Sequence, residues 1–103
     1  MDTFQALAVP TRRQIIELLG QRGRLSASKI SAQFKISPSA ISQHLRVLQE
    51  AKLVKVERKA QQRIYEINPN TMEELSKWVH KINQRFDRLE KFLAEQKKKS
   101  YKN

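Results

Sequence analysis

From Met72 to Leu93 the apolar residues Met72, Leu75, Val79, Ile82, Phe86, Leu89 and Leu93 recur at steps of 3, 4, 3, 4, 3 and 4. That alternation lines residues up along one stripe of an α-helix and along neither face of a strand. Trp78 and Phe92 widen the stripe. With Asn70 or Thr71 as cap and Glu73 and Glu74 in the first turn, the spacing predicts a helix over residues 70–96. About 25 residues rising 1.5 Å each make it about 38 Å long. A chain of 103 residues forms one small domain, whose core needs no helix of that length. The sequence holds no second long helix to fold back against it. The stripe therefore predicts burial against the same helix of a second copy.

Upstream, Ser37 to Val54 reads SPSAISQHLRVLQEAKLV. Ser37 is a natural N-cap and Pro38 suits the first helical position, because its missing N–H leaves no donor unsatisfied there. Ile41, Leu45 and Leu48 mark the inner face, and Ser39, Ser42, Gln43, Arg46 and Glu50 the outer one. The first outward turns are small and polar and carry no acid. Side chains of that kind approach base edges closely, and Gln and Arg make bidentate contacts there. The same pattern suits an ordinary amphipathic surface helix, so the flanking chain decides between the two.

Before it, Asp2 to Ala8 predicts a short first helix capped by Asp2, and Pro10 opens a second one that ends near Gly20 or Gly23. Arg12 and Arg13 stand in the first turn of that second helix, where the helix dipole favours acids. This conflict suits either a phosphate-facing site or solvated surface. Leu25 lies in a short extended link. Ser26 or Ala27 starts a third helix with Ile30 and Phe34 inward, and Lys35-Ile36 turns into the Ser37 helix. Two helices joined by a tight turn, the second one capped, are a helix-turn-helix layout. After Leu53 the period changes from 3.6 to 2. Strands over residues 54–59 and 62–67 form a hairpin whose tip carries Arg58, Lys59 and Arg63 without an intervening acid. Such a hairpin reads as a wing along the phosphate backbone, or else as a structural hairpin closing the core. The fold class is thus mostly α with a small β-hairpin: a winged helix-turn-helix with a long C-terminal dimerisation helix. Residues 1–96 form the domain, and residues 97–103 a basic, disordered tail.

Charge narrows the class of partner. Lys and Arg number 21 against 10 Asp and Glu, a net charge of +11, which favours a polyanion, either nucleic acid or an anionic membrane surface, over a mere solubility device. No apolar run approaches the roughly 20 residues that span a bilayer, and no basic region precedes an apolar one at the start. The expected location is the cytoplasm, at the nucleoid. With no cysteine there is neither a disulfide nor a thiolate metal site. Nothing has the pattern of catalysis: there is no Gly-rich phosphate loop, no paired carboxylates in an apolar setting and no nucleophile with a base. His44 and His80 fall on different helices, and His44 suits a phosphate or structural hydrogen bond better than a metal.

Val9-Pro10-Thr11-Arg12-Arg13-Gln14-Ile15-Ile16-Glu17-Leu18-Leu19 is similar to the DPTRRxILxLL opening of ArsR/SmtB-type winged helix-turn-helix repressors. Ser37 to Val54 resembles that family's recognition-helix signature, S-x-x-x-S-x-H-L-x-x-L-x-x-A-x-L-V, and Arg58-Lys59 with Ile64 to Asn68 resembles its wing. The resemblance implies a homodimer that binds palindromic operator DNA and represses transcription. It implies base contacts from Ser37, Ser39, Ser42, Gln43 and Arg46, with His44 near the backbone. Arg12, Arg13, Arg58, Lys59 and Arg63 are the expected phosphate contacts. It also implies a dimer interface from the first and last helices, here Phe4 with Leu75, Trp78, Val79, Ile82, Phe86, Leu89 and Leu93. Three departures stand out. Val9 replaces the Asp before Pro10, which weakens the cap. Ala60 replaces a common wing Gly, which predicts a longer or differently shaped tip. Ser26 and Ser28 occupy the Cys-x-Cys metal-sensing positions, and the last helix offers only His80 toward the Asp and two His of the other common site.

The reading is a sequence-specific, homodimeric repressor that binds double-stranded DNA in the major groove, with no metal and no other cofactor. Two alternatives are a non-specific architectural DNA-binding protein and a winged-helix module that packs on a protein partner. The sequence leaves open whether an organic ligand, a partner protein or nothing serves as inducer.

Overall fold

The computed structural model describes residues 2–101, with side chains through residue 98. It contains α1 (Thr3–Leu7), α2 (Pro10–Arg22), β1 (Leu25–Ser26), α3 (Ala27–Ser31), α4 (Pro38–Glu50), β2 (Val54–Lys59), β3 (Gln62–Ile67) and α5 (Pro69–Tyr101). One compact unit ends at Met72 and a second begins at Glu73. The architecture is mostly helical, with a small antiparallel sheet.

All three prolines of the chain open a helix: Pro10 in α2, Pro38 in α4 and Pro69 in α5. Each sits where its missing N–H costs nothing and its fixed φ favours helical entry. The caps before them differ. Ser37 Oγ accepts from the Ala40 N–H at 3.1 Å. Val9 gives α2 no side-chain cap, as its replacement of Asp predicts. Before α5 the cap is Asn68, whose Oδ1 accepts from the Asn70 N–H at 3.2 Å. The helix therefore starts ahead of the expected Asn70 or Thr71, and Glu73 and Glu74 fall outside its first turn. At the other end α5 continues through Tyr101, so residues 97–101 of the expected disordered tail are helical. Lysines are good helix formers, and their charge complements the negative end of the helix dipole. Lys102 and Asn103 lie outside the described residues.

α3 ends at Ser31, a turn earlier than its spacing predicts. The Gln33 and Phe34 N–H groups donate to Ile30 and Ser31 at 3.0 and 3.1 Å. These tight turn bonds let Phe34 pack against the core from outside the helix. The two hairpin strands have the expected bounds. The short link through Leu25 is itself a strand, β1, which pairs with β3 and makes the sheet order β1-β3-β2.

The core of the first unit joins Ala6, Ile15, Ile16, Leu19, Ile30, Ile41, Leu45, Leu48, Leu53, Val54 and Tyr65. α4 leads into β2 through a Schellman turn: Leu53 N–H donates to Leu48 O and Lys52 N–H to Gln49 O, both at 3.0 Å. Lys52 holds φ 61° there. Gly23 ends α2 at φ 77° and ψ −130°. A side chain is strained at either position. Gly23→Ala should lower unfolding free energy by about 1–2 kcal/mol, and Lys52→Gly should raise it by about 1 kcal/mol. Urea denaturation of both variants checks the pair of signs; a shift of the same sign in both contradicts the assignment.

Candidate nucleic-acid interface

The inner stripe of α4 is fully buried, with Leu45 and Leu48 at 0% and Ile41 at 1% exposure. Helical geometry then turns Ser39, Ser42, Gln43, Arg46, Gln49 and Glu50 outward, and all six are exposed. Ser37 is exposed as well. Its oxygen accepts the capping bond, so its hydroxyl proton remains available to an outside acceptor.

A groove runs between this face and β3. Ser39, Ser42, Gln43, Arg46, Gln49 and Glu50 line one side, and Arg63 and Tyr65 the other. Arg63 stands directly opposite Arg58 across the hairpin. Strand alternation places both on the face of Val56 and Tyr65, beyond the end of the core. Like charges opposite one another destabilise a strand pair. Lys59 pairs with Gln62, which leaves Ala60-Gln61 as a two-residue tip with Ala60 at φ 55°. The tip is therefore short, not longer, and Ala60 takes the left-handed conformation itself.

The acids of the sheet are engaged elsewhere. Glu57 and Glu66 both pair with Arg24, the second at 3.7 Å from its Nε. Arg58, Lys59, Arg63 and Arg46 make no ion pair among the described residues. The net result is a polar, cationic groove beside a helix face of base-reading residue types. Arg24 carries no motif of its own. Its role follows from strand register, which brings Glu57 and Glu66 to one side of the sheet.

Two expected phosphate contacts need separate accounts. Arg12 is buried, at 8% exposure. Its Nε donates to Ala6 O at 2.6 Å and its Nη2 to Gln5 O at 3.3 Å. Its assignment to phosphate is thereby corrected. α1 is a five-residue helix whose end is short of backbone donors: the Ala8 N–H reaches Gln5 O at 3.2 Å, and Arg12 adds a second donor there and one at Ala6 O. Arg13 also donates to α1, from Nη1 to Leu7 O at 2.7 Å, but it is exposed and keeps other N–H groups free to face solvent. The conflict of two arginines at the start of α2 is resolved by the end of α1.

His44 is half-buried, and its Nδ1 lies 3.5 Å from Arg12 Nη1. Burial, and then the neighbouring Arg12 charge, hold its pKa below the ordinary histidine value. Ser26 is buried and caps α3, its Oγ accepting from Lys29 N–H at 3.2 Å and lying 3.3 Å from Ser28 Oγ. Among the described residues no group of three His, Cys, Asp or Glu is placed to hold a metal ion. No described helix is long and apolar enough to cross a membrane. On α5, Trp78, Val79, Phe86, Leu89, Phe92 and Leu93 are 43–57% exposed, as is Phe4 on α1, while Leu75 and Ile82 are half-buried. His80 is exposed on α5 beside Gln84.

Comparison with known proteins gives a consistent picture. The model of the bacterial regulatory protein arsR family matches residues 9–56. The transcriptional repressor SdpR of Bacillus subtilis is 35% identical over 78 residues, covering 76% of this chain and 86% of that one. The arsenical resistance operon repressor of the same organism is 34% identical over 65 residues, covering 63% of this chain and 62% of that one. A crystal structure described as a "possible transcriptional regulator for arsenical resistance" superposes with a TM-score of 0.72 at 36% identity, covering 80% and 84% of the two chains.

Two outcomes follow from the local chemistry. Arg63→Thr removes the like-charge pair and should stabilise the hairpin by about 0.2–1 kcal/mol; a lower urea midpoint in the variant contradicts the pairing. His44 titrates below the unfolded-chain value, so the unfolded state takes up its proton first as pH falls. Stability from this group is present above about pH 6.5 and is lost on acidification toward the folded pKa. His44→Gln should therefore lose less stability than the parent between about pH 7.5 and 5.5. Equal losses in urea titrations contradict the linkage.

Proposed function

Because this chain belongs to the arsR family of bacterial regulatory proteins, we propose that it acts as a homodimeric repressor that reads a palindromic operator through the major groove without a metal ion. The chain is a DNA-binding transcriptional regulator, of a family of regulators rather than enzymes. The observation that carries the finer reading is the outward face of α4, small and polar beside wing arginines that have no ion-pair partner among the described residues.

In this reading Ser37, Ser39, Ser42, Gln43 and Arg46 contact base edges. Arg13, Arg58, Lys59 and Arg63 contact phosphates, and His44 sits near the backbone. The cations make affinity strongly salt-dependent, since each neutralised phosphate releases counterions. The exposed stripe of α5 and Phe4 bury themselves against a second copy. A two-fold dimer then presents two recognition helices to successive major grooves, about 34 Å apart. The metal-free mode is supported by the donor set: Ser26 Oγ is occupied in capping α3, and neither it nor Ser28 is a thiolate. The working location is the nucleoid.

Gln43→Ala should relax base preference at one operator position, at a cost of about 1–3 kcal/mol. An equal loss of affinity on every sequence instead makes Gln43 a non-reader. Ile82→Lys combined with Phe86→Lys should yield monomers with weak operator binding. A double variant that still sediments as a dimer contradicts the role of the α5 stripe.

A further inference from the structure

Arg12 is a buried cation without an acidic partner among the described residues. Carbonyl oxygens of α1 occupy its Nε and Nη2, at 2.6 and 3.3 Å. The remaining nitrogen, Nη1, lies 3.5 Å from Nδ1 of His44 on the recognition helix. A guanidinium can only donate. In this contact Nδ1 is therefore the acceptor, and the proton of the neutral ring belongs on Nε2. His44 directly follows Gln43 on α4, and the ring is half-buried.

We propose that Arg12 is a positioning residue for DNA binding: by donating to Nδ1 it fixes His44 as the tautomer whose Nε2–H donates to a phosphate of the bound duplex. The inference rests on the DNA-binding reading above. It assigns Arg12 a second task beside closing α1. A ring nitrogen oriented by a hydrogen bond to the other nitrogen is a general device for choosing which side of an imidazole donates. Here the orienting group is itself held by two backbone carbonyls, so its direction is set by the fold rather than by solvent.

The surroundings support a neutral donor. Of the elements packed against α4, α2 places Arg12 against the ring. The charged side chains of α3 and β2 (Lys29, Lys55, Glu57, Arg58 and Lys59) are exposed and make no hydrogen bond or ion pair with His44. On α4 itself Arg46 and Glu50 point to the groove. Burial and Arg12 both oppose a charged ring. Protonation would put a second cation beside Arg12 and remove the acceptor that the contact uses.

The experiment is nitrogen-detected NMR of the histidines in the full chain, free and bound to a mixed-sequence duplex three helical turns long. At about pH 7, His44 should be neutral with its proton on Nε2, and duplex binding should shift Nε2 more than Nδ1. A ring protonated on Nδ1 or doubly protonated in the free chain overturns the proposal, as does an Nε2 resonance unmoved by duplex. Affinities complete the test. His44→Leu should bind about tenfold more weakly, the loss of one hydrogen bond to a charged group. His44→Gln, which can accept from Arg12 and still donate outward, should stay within about threefold of the parent. In Arg12→Gln the ring is free to protonate, so duplex affinity should rise on acidification more steeply than in the parent; parallel pH profiles in a folded variant contradict the positioning role. Because a phosphate contact is independent of sequence, the test holds even if no operator exists. Binding to mixed duplex with the expected tautomer but without sequence preference would remove the operator reading and leave Arg12's role standing. Binding to no duplex would remove both.

Discussion

Burial of Ile41, Leu45 and Leu48 is the constraint on which the rest of the structure depends. These side chains are at most 1% exposed, and each contributes about 1.5–3 kcal/mol by leaving water. A helix has one rotation about its axis that buries such a stripe. Once that rotation is set, Ser39, Ser42, Gln43 and Arg46 can only face outward. The neighbouring parts of the fold hold α4 in that setting. Ser37 and Pro38 fix where it begins, and the Schellman turn at Lys52 fixes how it hands over to β2. The Asn68 N–H, donating to Leu53 O at 2.9 Å, ties the end of the hairpin to its start. The hairpin is consequently placed beside the outward face of α4 by backbone hydrogen bonds, and its arginines make no ion pair among the described residues.

Local conflicts in the chain divide into two kinds. At Arg58 and Arg63 the conflict persists in the folded protein: two like charges oppose each other, and the nearby acids are taken up by Arg24. A conflict that folding does not relieve is what an external polyanion would relieve. At Arg12 and Arg13 the conflict disappears on folding, because the carbonyl end of α1 supplies the acceptors. Both sites look alike in sequence, as adjacent or nearby cations without acids. Only tertiary geometry separates them.

This explains how much could be read in advance. The hairpin bounds and the inner face of α4 were legible because both rest on local periodicity, reinforced by Ser-Pro capping. The family was legible from the motifs in α2, α4 and the wing, and the relatives agree with it. The role of Arg12 was not legible, since it depends on His44, which lies 32 positions away. Nor was β1, a two-residue strand that exists only through its pairing with Ile64 and Tyr65. Phe34 kept helical spacing from Ile30 but reaches the core after α3 has ended. The start of α5 is a different kind of miss. Asn68-Pro69 carries the same capping logic as Ser37-Pro38, and its signal as a turn obscured its signal as a cap.

In the proposed repressor α4 reads sequence as one half of a symmetric pair. Selection of bound duplexes from a random pool, at about physiological salt and with chelator present, should then enrich an inverted repeat whose half-sites are about one helical turn apart, centre to centre. Retention of duplex without any enriched sequence would contradict it and would leave a coat of non-specific phosphate contacts in its place.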